Sequence, residues 1–379
     1  MQITKIDITP VSIPYFEPVV WRFGQMRGIT SAVIRVSTDF GVEGLGEAPG
    51  VPCIGIVLEA LEFFRPAFVN QDPANIKQLM HKVSEAGAAH FPYVANVVLS
   101  GIEMALWDIC GKTLGCPVYQ LFGGLGSRAL PFYWHVNVPD ERTETAVQRA
   151  LEGLRLGFRT MYLKGGSDIE RDLNLIEAIR SGVTDDVALR LDPNEGWAYL
   201  DAVKRERRLQ DVALEFLEEP FEMHDLDRMR EFRERSGIPI AANQSAWLLR
   251  DVRAILASRS ADVIVTGVCQ AGGMLNLNTA ADMCELSGVP LVRHSLCDLG
   301  IGTAAALAVL ASRPSTQLAH QTHLQLVEHD LLESPWQFVD GTLEVRNGSG
   351  LGVELDVQAL QRYARNYQEM GEYGGYSIK

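Results

Sequence analysis

Short apolar runs recur along the middle of the chain, separated by spacers of helical length, and each run ends on a polar side chain. Arg159–Lys164 leads into Gly165-Gly166, Ala188–Asp192 into Pro193-Asn194, and Glu215–Glu219 into Pro220. Pro239–Gln244 follows after another helical interval. Strands alternating with helices predict parallel βα units, and the side chains at the carboxyl ends of such strands converge on one mouth. Leu130–Val136, Asp262–Thr266, Pro290–His294 and Thr316–His320 continue the rhythm. The pattern therefore predicts a (β/α)7β modified TIM barrel.

The flanks read differently. Ile3–Ile6, Ala32–Thr38 and Val42–Glu47 alternate like strands of an antiparallel meander, with a loop between the first two that carries Phe16, Trp21, Arg22, Phe23 and Met26. Aromatic residues in such a loop either cover a ligand or pack on a neighbouring domain. From Gly55 to Leu121 the period becomes helical, and Val98–Lys112 is apolar almost all round, as in a helix buried between domains. Phe122–Gly126 punctuates the chain. After Val339, turns at Asp340-Gly341 and Asn347-Gly348 precede a helix near Val357–Met370 that is expected to fold back on the first domain. The expected organisation is an α+β capping domain over 1–125, a barrel over 126–338, and a C-terminal segment over 339–379 that returns to the cap.

A chain of 379 residues exceeds what one growing core accommodates, which agrees with two bodies. At 47% hydrophobic and 22% charged residues the composition is that of an ordinary globular protein. No apolar run approaches the roughly 18 residues of a membrane span, and the amino terminus lacks the apolar core of a signal peptide. The expectation is a cytoplasmic protein with no membrane partner. A formal charge of −14 argues against nucleic acid, whose binding rests on basic surfaces. A metal ion and one lysine can still reverse the local field for an anionic small molecule. The cysteines form no CxxC pair and are read as reduced.

Asp192, Glu218 and Asn243 end three consecutive predicted strands. Oxygen donors from adjacent strands suit a hard divalent cation, and an open coordination position suits Mg2+. Each could instead cap its following helix; three in a row favour the metal. Lys164 ends the preceding strand. Beside a cation, and partly desolvated, it becomes a candidate base, the alternative being an ion pair with Asp192 or Glu219. His294 ends the seventh strand, across the barrel, and is a candidate acid; a structural histidine is the alternative. His320, on the eighth strand, is a weaker candidate of the same kind. Trp21, Phe23, Tyr162, Asn194, Gln244 and His320 complete the expected substrate-binding set.

These residues carry a resemblance. Ala105–Gly124, Gly41–Glu47, Leu191–Trp197, Glu218-Glu219-Pro220, Gly272-Gly273, Gly300–Ala305 and Gly350-Leu351-Gly352 resemble, together, the mandelate racemase and muconate lactonizing enzyme branch of the enolase superfamily. The resemblance spans nearly the whole chain. It implies a capping domain closing over a Mg2+-bearing barrel that removes a proton α to a carboxylate and stabilises the resulting enediolate. It implies Asp192, Glu218 and Asn243 as ligands and Lys164 as base. Asn243 and Lys164-Gly165-Gly166 are similar to the glucarate dehydratase group.

There are departures. Tyr162-Leu163-Lys164 stands where many relatives have Lys-x-Lys, and Gly267 stands where they have a second lysine or an aspartate that pairs with the seventh-strand histidine. Gln244 replaces a commonly acidic residue. A racemase needs a base on each face, whereas elimination needs one base and one acid. The expectation is a Mg2+-dependent lyase, a dehydratase acting on a hydroxy-carboxylate such as an acid sugar, with Lys164 as base and His294 as acid. A racemase, epimerase or cycloisomerase of the same superfamily is the alternative, and a catalytically silent metal-binding barrel is a third reading. A small-molecule carboxylate is the expected partner and a homo-oligomer the expected assembly.

Overall fold

The computed structural model describes residues 1–313 and 318–373. Ile3–Trp21 (β1), Gly24–Thr38 (β2) and Glu43–Pro49 (β3) form an antiparallel sheet in the order β1-β2-β3. The aromatic loop expected between the first strands is much shorter than its sequence suggested. Val19-Val20-Trp21 pairs with Gly24-Gln25-Met26 after a register shift between Pro14 and Val19, leaving Arg22 and Phe23 at the turn. Residues of high strand propensity carry the ladder on, and Gly24, at φ +124°, turns the chain.

Alternation along β2 serves two cores. Ala32, Ile34 and Val36 pack with the helices Ile54–Phe64 and Pro92–Leu114, while Val33 joins the core shared with the barrel. The helix Pro92–Leu114 has the length and apolarity of a membrane span, contrary to the expectation that no run came near it. Its apolar window is 78% buried inside the protein, so its hydrophobicity serves the interface between the cap and the barrel. Gly44 and Gly46 let β3 lie directly on it: an added Cβ would stand 2.1 Å from the Ala105 oxygen and 1.8 Å from the Gly101 oxygen.

The predicted first barrel strand divides. Ala129–Pro131 (β4) pairs antiparallel with a later strand, and Trp134–Val136 (β5) begins the barrel. Thr160–Lys164 (β6), Ala188–Asp192 (β7), Phe216–Glu218 (β8), Ile240–Ala242 (β9), Val263–Thr266 (β10) and Leu291–Arg293 (β11) complete a seven-stranded parallel sheet ordered as in the sequence. Of the eighth predicted strand, Thr316 and Gln317 lie outside the described residues. His320 closes the curl: its N–H donates to the Pro131 oxygen at 2.7 Å, its oxygen accepts from Tyr133 N–H at 3.1 Å, and Gln321 N–H donates to the Arg293 oxygen at 3.0 Å.

Thr342–Glu344 (β12) is the partner of β4. The helix Val357–Met370 then packs on β1, where the Asn366 amide donates to the Ser12 oxygen at 2.7 Å.

Buried acids fasten the cap to the barrel. Glu47 on β3 accepts from Leu299 N–H at 2.6 Å and Gly302 N–H at 3.0 Å, at the start of the helix Gly300–Leu310 that follows β11. Glu103 accepts from Leu275 N–H at 2.9 Å, at the start of the helix Met274–Leu286 that follows β10. Both satisfy backbone donors that a helix leaves open at its amino end. Burial pushes the Glu47 carboxyl up to about 8 and the Glu103 carboxyl up to about 7.

Candidate active site

Parallel register sets the first pair. Lys164 on β6 is the strand partner of Asp192 on β7, so both side chains leave the sheet at one level. The Lys164 ammonium meets Asp192 Oδ2 at 2.6 Å, with the lysine side chain 10% exposed and the aspartate fully buried. The ion pair with Asp192, offered as an alternative role for this lysine, is thus present. Tyr162 Oη also donates to Asp192 Oδ2, at 2.5 Å, and Asn194 N–H donates to Oδ1 at 2.8 Å. Tyr162 is buried and stacked on Tyr133 with ring centroids 4.3 Å apart, so it fixes the carboxylate from below and does not line the cavity.

Glu218 ends β8 beside Asp192. Its Oε1 is buried with no hydrogen-bond partner, and burial together with the Asp192 charge pushes its carboxyl well up. Asn243 follows β9. Its amide nitrogen donates to the Val265 oxygen at 3.0 Å and lies 3.4 Å from Gln270 Oε1, which turns the amide oxygen toward the mouth. Gln270 also donates to the Asn243 oxygen at 2.6 Å, and Glu219 accepts from Asn243 N–H at 2.7 Å. Neither of these two orienting residues stood in the expected site.

Do these residues fit a divalent cation? Among the described residues no group of three His, Cys, Asp or Glu side chains is arranged to hold a metal. A third donor here would be the oxygen of Asn243, a residue type outside that set. Two like charges buried side by side, one with an orphaned oxygen, are costly unless a positive charge compensates them. An all-oxygen donor set of Asp192, Glu218 and Asn243 fits Mg2+ in its chemistry.

A cavity of about 500 Å³ lies beside this cluster, between cap and barrel; Asn243 lines it, whereas Asp192 and Glu218 are buried behind its lining. Lys164, Asn194, Asn243, Gln244 and His294 line it, and Trp21 reaches it from the cap. Asn194 Oδ1, Gln244 Oε1 and His294 Nδ1 are buried without hydrogen-bond partners. Burial, with Lys164, His323 and Arg293 nearby, drives the His294 imidazole well below its usual range, so it is neutral at pH 7. Phe23 is not part of the lining; it packs edge-on against Trp21 at 4.9 Å. His320 also lies outside the lining, with Nδ1 accepting from Arg293 N–H at 3.0 Å and burial lowering its imidazole to about 3.

The histidine that does line the cavity from this segment is His323, held through Nδ1 by Tyr15 Oη at 2.6 Å. The apolar run of the sequence ends at His320, short of His323. Arg22 lies in the predicted loop; its Nη1 donates to the Asn194 oxygen at 2.6 Å and ties the β1–β2 turn to the barrel mouth. Gly165 and Gly166 admit neighbouring protein groups. A Cβ at Gly165 would stand 2.5 Å from Asp172 Oδ2, and one at Gly166 would stand 1.8 Å from the Pro193 oxygen.

Two family profiles cover most of the chain. The mandelate racemase / muconate lactonizing enzyme N-terminal domain matches residues 3–123, and the enolase C-terminal domain-like profile matches 145–359. L-Ala-D/L-Glu epimerase of Bacillus subtilis is 29% identical over 364 residues, 93% of this chain and 97% of that protein. The muconate lactonizing enzyme structure from Pseudomonas fluorescens, in complex with muconolactone, superposes with a TM-score of 0.90 at 26% identity, covering 96% of this chain and 99% of that one. An enolase from Pseudomonas fluorescens crystallised with magnesium, potassium and tartrate has a TM-score of 0.88 at 25% identity, covering 98% and 94%. Further similar proteins, at 25–28% identity, are a hydrophobic dipeptide epimerase, an N-succinyl-L-Arg/Lys racemase, a chloromuconate cycloisomerase and an arabinonate dehydratase.

Proposed function

This chain belongs to the mandelate racemase/muconate lactonizing enzyme branch of the enolase superfamily, and from that premise we propose that it is a one-base lyase acting on a β-substituted carboxylate. The similar proteins are epimerases, racemases, cycloisomerases and a dehydratase, enzymes that share chemistry at the carbon α to a carboxylate. The finer assignment rests on one observation. Among the described residues lining the cavity Lys164 is the one lysine, and at Gly267, where the family resemblance implies a second lysine or an aspartate, a Cβ would stand 2.1 Å from the His294 oxygen.

A bound divalent cation supplies electrostatic stabilisation of the charge that develops on the substrate carboxylate. In its neutral form Lys164 takes the α-proton from one face and becomes the ammonium, the form paired with Asp192. Asp192 then holds that ammonium in place, and Tyr162 fixes Asp192. A β-hydroxyl on the same side can collect the proton from Lys164 as it departs, so one group serves as base and then acid. His294 is neutral, and among the described residues no carboxylate bonds its Nδ1, so its ring is suited to hydrogen-bond a substrate oxygen. Inversion at the α-carbon would require protonation from the opposite face, and among the described lining residues Lys164 is the one amine.

Cycloisomerisation is the second reading. It needs only one α-proton and a β-leaving group within the same molecule, and the apolar cap wall of the cavity favours it over an acid-sugar substrate. The test is NMR in D2O with Mg2+ and a panel of β-hydroxy- and β-acyloxy-carboxylates. Release of water or an acid, without deuterium in recovered inverted substrate, is the expected result. Deuterated, inverted substrate without elimination would instead make the protein a racemase. Lys164→Ala is expected to lose at least about 100-fold in rate, the usual worth of a general base.

A further inference from the structure

The two ends of the cavity differ in chemistry. Its floor carries Lys164, the carboxamides of Asn194, Asn243 and Gln244, and two neutral imidazoles, His294 and His323. Its upper wall is mainly apolar: Trp21, Met26, Val51 and Tyr93 from the cap, with Trp247 and Leu296 from the barrel, and Thr30 as a neutral polar member. Tyr93 and Trp247 meet edge to face at 5.1 Å across the seam between the two bodies, and Tyr93 Oη lies 3.3 Å from His224 Nε2.

Charge is scarce there. Among the described lining residues, Lys164 and Glu195 are the formally charged ones when the histidines are neutral. Burial lowers His323 to about 3 and drives His294 down as well. Glu195 is engaged, accepting from Met223 N–H at 3.0 Å. The Arg22 guanidinium, at the β1–β2 turn, donates to the Asn194 oxygen at 2.6 Å and lies over the Phe23 ring at 5.0 Å; Arg293 is buried and bonded to Asp298, the Gln321 oxygen and Thr303. A second carboxylate on the ligand would therefore be desolvated without a counter-ion, which is costly. A polyhydroxy chain would lose its water against carbon surface at the upper wall, with the same penalty.

We infer that the ligand is a monocarboxylate whose far end is uncharged and apolar, an aromatic ring or a branched aliphatic group packed between the cap wall and Trp247. The inference rests on the reading above only in directing the carboxylate end to the floor beside Lys164. It narrows the substrate to a class that excludes dicarboxylates and sugar acids.

Isothermal titration of the full chain with saturating Mg2+ tests it, using unreactive probes: 3-phenylpropanoate, glutarate and gluconate. The expected ranking has 3-phenylpropanoate at least about tenfold tighter than the other two, the scale of burying part of an aromatic ring. Glutarate or gluconate binding as tightly, or no binding of 3-phenylpropanoate, overturns the inference. Leu296→Lys, which adds a cation to the upper wall, should move the preference toward glutarate; an unchanged ranking in a folded variant also counts against it. Should that variant not fold, the wild-type ranking decides alone. The expected ranking without turnover of any β-substituted acid would sink the elimination reading and leave the ligand class standing. Turnover of dicarboxylates would do the reverse.

Discussion

Gly267 lies so close to His294 that an added Cβ would stand 2.1 Å from the histidine's backbone oxygen. The backbone at Gly267 is extended, with φ −141°, so any residue could adopt it. The obstacle is contact between the end of β10 and the end of β11. Gly267→Ala is expected to destabilise the protein by about 1–3 kcal/mol in urea unfolding, the usual cost of overpacking. Gly267→Lys is expected to do the same without gaining racemase activity. A stable lysine variant that inverts substrate in D2O would show that the missing amine alone separates this chain from the two-base enzymes.

How far could the candidate site be read from the residues alone? The ends of β6, β7 and β8 were legible because an apolar run that stops on a lysine or an acid marks both the strand and its mouth, as at Lys164, Asp192 and Glu218. Residues acting through distant partners were not. Glu47 meets Leu299 across 252 positions, and nothing local in either segment announces the pairing. Gln270 orients Asn243 through side-chain geometry, which periodicity does not encode. The β1–β2 turn was drawn too long because prolines and charged residues mask a ladder that resumes after an irregularity. The positions of Phe23 and His320 along the chain predict them in the pocket; packing sends Phe23 onto Trp21 and His320 into the wall.

Tyr162→Phe removes one donor to Asp192 and keeps the ring stacked on Tyr133. Groups that orient a ligand typically contribute 10–100-fold to metal affinity, so Mg2+ binding should weaken by about 10-fold or more while thermal stability changes little. Calorimetric titration of Mg2+ reads this without substrate. Unchanged affinity would remove Tyr162 from the support of the site.

Gly166 sits at φ +95°, and its N–H donates to Asp172 Oδ2 at 2.6 Å. Gly166→Ala combines a left-handed backbone with a Cβ 1.8 Å from the Pro193 oxygen. A loss of roughly 2 kcal/mol or more is expected, together with slower turnover, because the adjacent Gly165 N–H donates to the Asp192 oxygen at 2.8 Å. Urea unfolding and kcat on the same preparation would check both.

The raised carboxyls of Glu47 and Glu103 predict a pH dependence. In the unfolded chain both ionise near pH 4.5, whereas in the folded protein Glu47 holds its proton to about 8 and Glu103 to about 7. Between those limits the native state binds more protons, so their contribution to stability falls as pH rises and levels off above the folded values. Glu103→Gln and Glu47→Gln should each flatten the decline in unfolding free energy between about pH 5 and about pH 8. Variants with the wild-type slope would show that these acids are ionised in the seam.

The helix Val357–Met370 covers β1, and the Ser12 hydroxyl donates to the Gly371 oxygen at 2.8 Å. Ser12 and Gly371 stand 359 positions apart, so during synthesis the outer surface of β1 waits for that much later segment before it is sheltered. Domains commonly mature in order of synthesis; here β1 is completed only after the barrel that follows it has been made.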